Sequence, residues 1–128
     1  MREALMVALG GALGAMSRYG LSTAVGRIMG TAFPYGTLVV NCTGSFIIGL
    51  VMQVCLNTTH ISPTFQTALT IGFLGAFTTF STFSYETVVL FKDGNWSHGV
   101  MNVVVHVAVS IGMVILGMLA ARMIVARA

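Results

Sequence analysis

Four long apolar segments, separated by short polar or proline-containing breaks, organise this chain. A helix crossing roughly 30 Å of hydrocarbon needs about 20 mostly apolar residues, and each segment has that length. The pattern predicts membrane helices over about 4–25, 35–56, 65–91 and 96–125. Phe33-Pro34 breaks the chain before the second helix. Asn57-Thr58-Thr59-His60 and Pro63 make a loop after it, and Lys92-Asp93-Gly94-Asn95 turns the chain into the fourth. Trp96 suits an interfacial position. With no internal repeat, long linker or appended soluble segment, residues 1–128 read as a single all-α domain of four transmembrane helices. Arg2 followed by an Ala/Gly-rich run resembles a secretory leader. However, Glu3 sits in its charged part and the run continues to about Val25, so a first spanning helix is expected instead.

The third segment departs from the plain apolar pattern. From Gly72 to Glu86 it is crowded with hydroxyls, holds two glycines and the run Thr78–Ser81, and ends in a carboxylate. A bilayer core offers no water to such groups, so each should face protein or an aqueous path. The expectation is a third helix broken in the middle of the membrane.

Composition fits a membrane protein: 56% hydrophobic, 7% charged, mean hydropathy +0.94, against roughly 25% charged residues in soluble domains. The net charge of +3 comes from scattered basic residues that never form a patch, which argues against nucleic acid as a partner. Cys42 and Cys55 are thirteen residues apart and point to different helix faces, so they read as packing residues.

With four spans, Arg2, Arg122 and Arg127 fall on one side of the membrane and Arg18, Arg27 and Lys92 on the other. Orientation follows Lys/Arg bias, and this chain has essentially none. It can therefore insert both ways and pair antiparallel. Small residues four apart (Gly10 and Gly14, Gly11 and Ala15, Ser45 and Gly49, Gly117 and Ala121) allow close helix approach in lipid, within one chain or between two. Four thin helices enclose little interior, so a polar pathway calls for a second subunit.

Enzyme chemistry finds no support. His60, His98 and His106 lack metal-ligand spacing, there is no HExxH or Gly-x-Ser-x-Gly, and Glu86 alone is an embedded acid. What remains is a set of neutral hydrogen-bond donors at membrane depth. Thr79, Thr82 and Glu86 share one face of the third helix, and Phe80 and Phe83 form the adjacent stripe. Asn102, His106 and Ser110 make a polar track on the fourth helix, and Asn41 lies within the second. Any one hydroxyl can instead bond its own i−4 carbonyl, and a buried Asn or His can be interhelical glue. Three converging tracks of neutral donors favour a small anion over a cation. Aromatic ring edges carry the positive part of the ring quadrupole, so Phe80 and Phe83 suit a desolvated anion. A break near Gly75–Thr78 would also free backbone carbonyls, which coordinate small cations.

Gly-Thr-Leu-Val-Val-Asn at 36–41 and Gly-Ala-Phe-Thr-Thr-Phe-Ser-Thr-Phe-Ser at 75–84 resemble the Fluc (CrcB-type) fluoride channels, as do Gly14 with Arg18, Glu86, and the His106/Ser110 pair. The resemblance spans the whole chain. It implies a fluoride-selective passive channel of the microbial plasma membrane, exporting fluoride as a dual-topology antiparallel homodimer with two pores. By the same resemblance, Phe80 and Phe83 would line the pores and Asn41 would contact fluoride or orient the rings. Ser110, His106 and Asn102 would form the polar track, and Thr82 and Glu86 would lie on the path near its mouth. The carbonyls of Gly75 and Thr78 would hold a central structural sodium ion, and Arg18 would have a structural or electrostatic role. One departure is Val114, four residues beyond Ser110, where some members keep a hydroxyl.

A small multidrug transporter is the alternative, but that class needs an acid in the middle of the first helix, and here Glu3 stands only at its start. A non-transporting assembly protein would use the same polar residues only as glue between helices.

Overall fold

The computed structural model describes residues 1–57 and 61–126; Thr58, Thr59, His60, Arg127 and Ala128 lie outside them, and with them most of the second loop and one arginine of the charge count. Among the described residues the regular structure is entirely helical. Helix α1 spans Arg2–Met29 and α2 spans Tyr35–Asn57. Gly30 ends α1 by taking a φ of 81°, while its amide donates to the Gly26 carbonyl at 3.0 Å; that left-handed backbone suits a residue with no Cβ. The helix thus runs past the expected end at Val25, because Gly26 to Met29 contain no breaker and Gly30 is the first residue to leave the helix.

The expected third segment is built from several pieces. Helix α3, Pro63–Thr67, starts with proline in its first turn and with the Ser62 side chain accepting from the Phe65 amide at 3.3 Å. Over Ala68–Leu74 the backbone widens into π-helical turns, and the Gly75 amide reaches back five residues to the Thr70 carbonyl. Helix α4 is a single turn, Gly75–Phe77. Thr78 and Thr79 are extended (φ −81°, ψ 157° and φ −151°, ψ 116°), after which α5 runs from Phe80 to Lys92. A tight turn with Gly94 at φ 78° leads into α6, Trp96–Val125.

Three of these helices, α1, α2 and α6, are long and apolar enough to cross a membrane. Their large apolar side chains point outward, among them Leu5, Leu9 and Leu13 of α1 and Val104, Ile111 and Ile115 of α6. An apolar exterior around a small buried interior is the expected distribution in lipid, and the chain is a multi-pass membrane protein.

Backbone contact between helices depends on glycine. A Cβ built on Gly49 would collide with the Val114 carbonyl, and one on Gly117 with the Phe46 carbonyl, so α2 and α6 touch main chain to main chain at both points. Gly14 likewise meets the Phe73 backbone, and Gly72 stands against Val7, which seats the π-helical turns on α1. Of the small-residue pairs, Gly10 with Gly14 and Gly117 with Ala121 therefore serve contacts inside the chain. Ser45 and Gly49 separate: the glycine packs on α6, and the serine faces a groove.

Gly49→Val and Gly117→Val should each destabilise the fold by at least about 1–3 kcal/mol, the usual range for overpacking, because the obstructing atoms are backbone. Thermal unfolding in detergent measures this. Gly20→Ala, with nothing within 4 Å of the new methyl, should leave the midpoint unchanged or raise it.

Candidate functional site

The interruption between α4 and α5 is where the polar side chains meet. The Thr78 amide still donates to the Leu74 carbonyl at 3.0 Å, but the extended backbone takes the Thr79 and Thr82 amides from the i−4 carbonyls they would serve in a continuous helix, and new partners take their place. The Thr79 amide donates to Asn41 Oδ1 at 2.8 Å and the Thr79 carbonyl accepts from Asn41 Nδ2 at 2.9 Å. One amide side chain on α2 thus pairs with both main-chain groups of the residue at the break. Thr79 Oγ1 caps α5 by accepting from the Thr82 amide at 3.2 Å, and it lies 3.0 Å from Thr82 Oγ1 and 3.2 Å from Ser81 Oγ.

Other hydroxyls of the stretch are used locally. Thr78 Oγ1 donates to the Leu74 carbonyl (2.9 Å), Ser84 Oγ to Phe80 (2.9 Å) and Thr87 Oγ1 to Phe83 (2.8 Å). Back-bonding to the preceding turn thus accounts for these three, and for Thr70, which bonds Gln66 at 2.8 Å. Thr79 and Thr82 escape it.

A groove of about 410 Å³ runs beside the break, bounded by α2, the π-helical turns, α5 and α6. Asn41, Gly75, Thr78, Thr79, Phe80, Phe83, His106 and Ser110, all singled out from the sequence, line it. The Phe80 and Phe83 ring centroids are 5.3 Å apart with the planes tilted by 50°, and Phe83 lies 4.6 Å from the His106 ring. Phe83 is buried, whereas Phe80 is 77% exposed, so the ring pair stands with one member inside the chain and the other at its surface.

Thr82 and Glu86 line a second groove, of about 570 Å³, toward the α1–α2 loop. There Thr37 Oγ1 donates to Glu86 Oε1 at 2.8 Å. Thr79 faces the first groove and Thr82 the second, so their contacting hydroxyls lie between the two. Asn102 lines neither groove. It is fully buried, and its Nδ2 donates to Thr87 Oγ1 at 2.8 Å while its carbonyl lies 3.1 Å from His106 Nδ1. Arg18 is half-buried on α1, lines neither groove and forms no ion pair among the described residues. The backbone of Val114, the position beyond Ser110 on the same face, packs against Gly49.

Three buried polar atoms have no partner among the described residues: Glu86 Oε2, Asn102 Oδ1 and His106 Nε2. Thr37, assigned no role of its own in the sequence reading, holds Glu86, and Thr87, absent from that reading, holds Asn102. Thr37 stands one helical turn before Asn41, a spacing that places both on one face of α2. Thr87 follows Phe83 by one turn, but its contact with Asn102 crosses between helices and has no local signature.

Comparison with known proteins gives a consistent result. The family model described as "CrcB-like protein, Camphor Resistance (CrcB)" matches residues 5–118. A protein of Dehalococcoides mccartyi named "Fluoride-specific ion channel FluC" is 49% identical over 117 residues, covering 91% of this chain and 90% of its own. Relatives of the same name from Citrifermentans bemidjiense (47% identical, 95% of this chain and 98% of theirs) and Geotalea daltonii (48%, 97% and 100%) match over nearly their full lengths. By its family match and by close relatives aligned almost end to end, this chain belongs to the CrcB-like family.

Proposed function

We propose that this protein is a fluoride-selective passive channel that lets F⁻ leave the cell across the plasma membrane. The observation that carries this reading is the groove beside the helix break. Asn41, His106 and Ser110 share it with the paired rings of Phe80 and Phe83, and it holds no acidic residue. Donors that replace a hydration shell, together with ring edges at close quarters, stabilise a small desolvated anion. Relatives aligned over nearly their whole length carry the name of fluoride-specific channels, which supports fluoride as the ion. HF is neutral, crosses lipid and dissociates inside. A negative interior then drives F⁻ outward by about 2.3 kcal/mol per 100 mV, so a passive pore suffices. The multidrug-transporter alternative gains nothing from the structure, since the acid on α1 is Glu3, in the first turn.

The reading extends to an antiparallel homodimer around a membrane-embedded break. Gly75, Phe80, Ser81 and Thr82 are exposed on the lone chain, and hydroxyls and free carbonyls facing hydrocarbon are costly. A second copy over this face would cover them and bring its own Phe80 beside the groove. The lack of Lys/Arg bias supports opposite insertion of the two copies.

A sodium ion at the centre of that pair fits the donors present. The Thr79 amide, which would serve the Gly75 carbonyl in a continuous helix, goes to Asn41 instead, and the Thr82 amide, which would serve Thr78, goes to Thr79 Oγ1. Both carbonyls thereby lose their usual partners. Neutral carbonyl oxygens at a helix break suit a small hard cation. When bound, the ion supplies fixed positive charge that joins the two copies.

Fluoride efflux from liposomes, with chloride-loaded liposomes in parallel, tests the central reading: rapid fluoride release with little chloride release is expected, and release of neither ion from folded protein would overturn it. Phe80→Ile and Phe83→Ile should each lower fluoride efflux ten-fold or more while the oligomer persists on size-exclusion chromatography. Epitope tags at the N-terminus should be found on both sides of the membrane, in comparable amounts. Replacing Na⁺ by the bulky cation N-methylglucamine should lower the thermal midpoint of the purified protein, a readout independent of flux.

A further inference from the structure

Thr87 and Asn102 are buried polar residues that line neither groove and have no part in the reading above. Thr87 Oγ1 donates to the Phe83 carbonyl at 2.8 Å and accepts from Asn102 Nδ2 at 2.8 Å. The Asn102 carbonyl in turn lies 3.1 Å from His106 Nδ1. All three bonds are buried, with Thr87, Asn102 and His106 at 6%, 0% and 4% exposure. They form one chain of contacts from the backbone of Phe83 on α5, across to α6, and along one turn to the imidazole. The ends of that chain, Phe83 and His106, are the two rings that pack at 4.6 Å with planes tilted by 41° and line the groove.

We propose that Thr87 and Asn102 are positioning residues: their hydrogen bond fixes the register of α5 against α6 and so the placement of the Phe83 and His106 rings on the groove wall. Asn102 then acts from behind the wall without touching the ion. Geometry favours this over simple adhesion. Glue between two helices can sit anywhere along them, whereas this bond starts at the hydroxyl that bonds the Phe83 carbonyl and continues at the residue whose own carbonyl meets His106. A shift of α5 along α6 would break the bond and separate the rings together. The Lys92–Asn95 turn and the packing of Phe91 on Gly99 and Trp96 also join α5 to α6, but at the hairpin end and not beside the groove.

This inference rests on the channel reading, and the test separates the two. Thr87→Val keeps the shape but removes both the acceptor for Asn102 and the donor to Phe83, leaving a buried amide without a partner. Thr87→Ser retains the hydroxyl. The double variant Thr87→Val/Asn102→Leu removes the orphaned amide as well, and the backbone carbonyl facing His106 remains. Fluoride efflux and thermal midpoint are read on all four proteins. The expected result is a fall in both for Thr87→Val, recovery of both in Thr87→Ser, and a split in the double variant. There the midpoint returns to near the parent value and efflux stays at least ten-fold low. Efflux that recovers together with the midpoint in the double variant would show that the bond only stabilises the fold, and would overturn the proposal. So would parental efflux in Thr87→Val or failure of Thr87→Ser to recover. A parent protein that conducts no fluoride would instead overturn the channel reading itself.

Discussion

The rest of this structure depends on the pairing of Asn41 with the main chain of Thr79. Its two hydrogen bonds, at 2.8 and 2.9 Å, give an extended residue the donor and acceptor that a helix would otherwise supply. At the membrane depth proposed for the break, that substitution would be a condition of its existence, since an unsatisfied backbone group in hydrocarbon costs several kcal/mol. Water would satisfy the same groups at a protein surface, and no particular side chain would be needed there. Here one amide on α2, of a kind that can donate and accept at once, meets the requirement. Aspartate at the same position would lose the donor, and serine would reach only one of the two groups.

Several features follow from that pairing. With its amide directed to Asn41, Thr79 no longer bonds Gly75, so a carbonyl at the break is left open. With its hydroxyl turned to cap α5, Thr79 holds Thr82 beside it and keeps both hydroxyls from folding back on the preceding turn. The neighbouring Thr78, Ser84 and Thr87 do fold back. The break thus sorts a run of similar side chains into those spent on their own helix and those offered to the grooves. The π-helical turns before it contribute as well. They are seated on α1 through Gly14 and Gly72, which anchors the chain entering the break, while Asn41 anchors the chain leaving it.

Much of this was legible in the sequence, and the limits have physical causes. Apolar runs reveal helices because length and composition are local properties, and α2 and α6 fall within a residue or so of the expected spans. Phe80 and Phe83, His106 and Ser110, and Asn41 were identifiable because a polar or aromatic residue in an apolar segment is conspicuous against its background. All five converge on one groove. Asn102 was conspicuous for the same reason, yet it lies behind the wall. Helical spacing puts it on the face of His106 and Ser110 but cannot say that Thr87 stands within 2.8 Å. Thr37 and Thr87 were passed over because a threonine among valines and phenylalanines matches its surroundings in size and can bond its own helix. Their importance lies in partners 49 and 15 residues away. The π-helical turns have no signature in periodicity either, since they add one residue per turn without changing the apolar character of the segment.

The small-residue pairs show how a correct local inference can leave its object open. Glycines four apart permit a close approach, and Gly10, Gly14, Gly49 and Gly117 each make one. All four are consumed by contacts within the chain. In the proposed pair of copies these four would not be the joining face, and the exposed surface around Gly75, Phe80, Ser81 and Thr82 has the right character for it. It is aromatic and hydroxyl-rich where lipid would favour leucine or valine. On α1, by contrast, Leu5, Leu9 and Leu13 form an apolar stripe that lipid satisfies unaided. Two kinds of outer surface on one membrane chain call for two kinds of neighbour. The polar one borders both grooves, so the pathway and the contact between copies would share a boundary. Phe80 would then be at once a pore wall and an interface residue, and a change there would act on both.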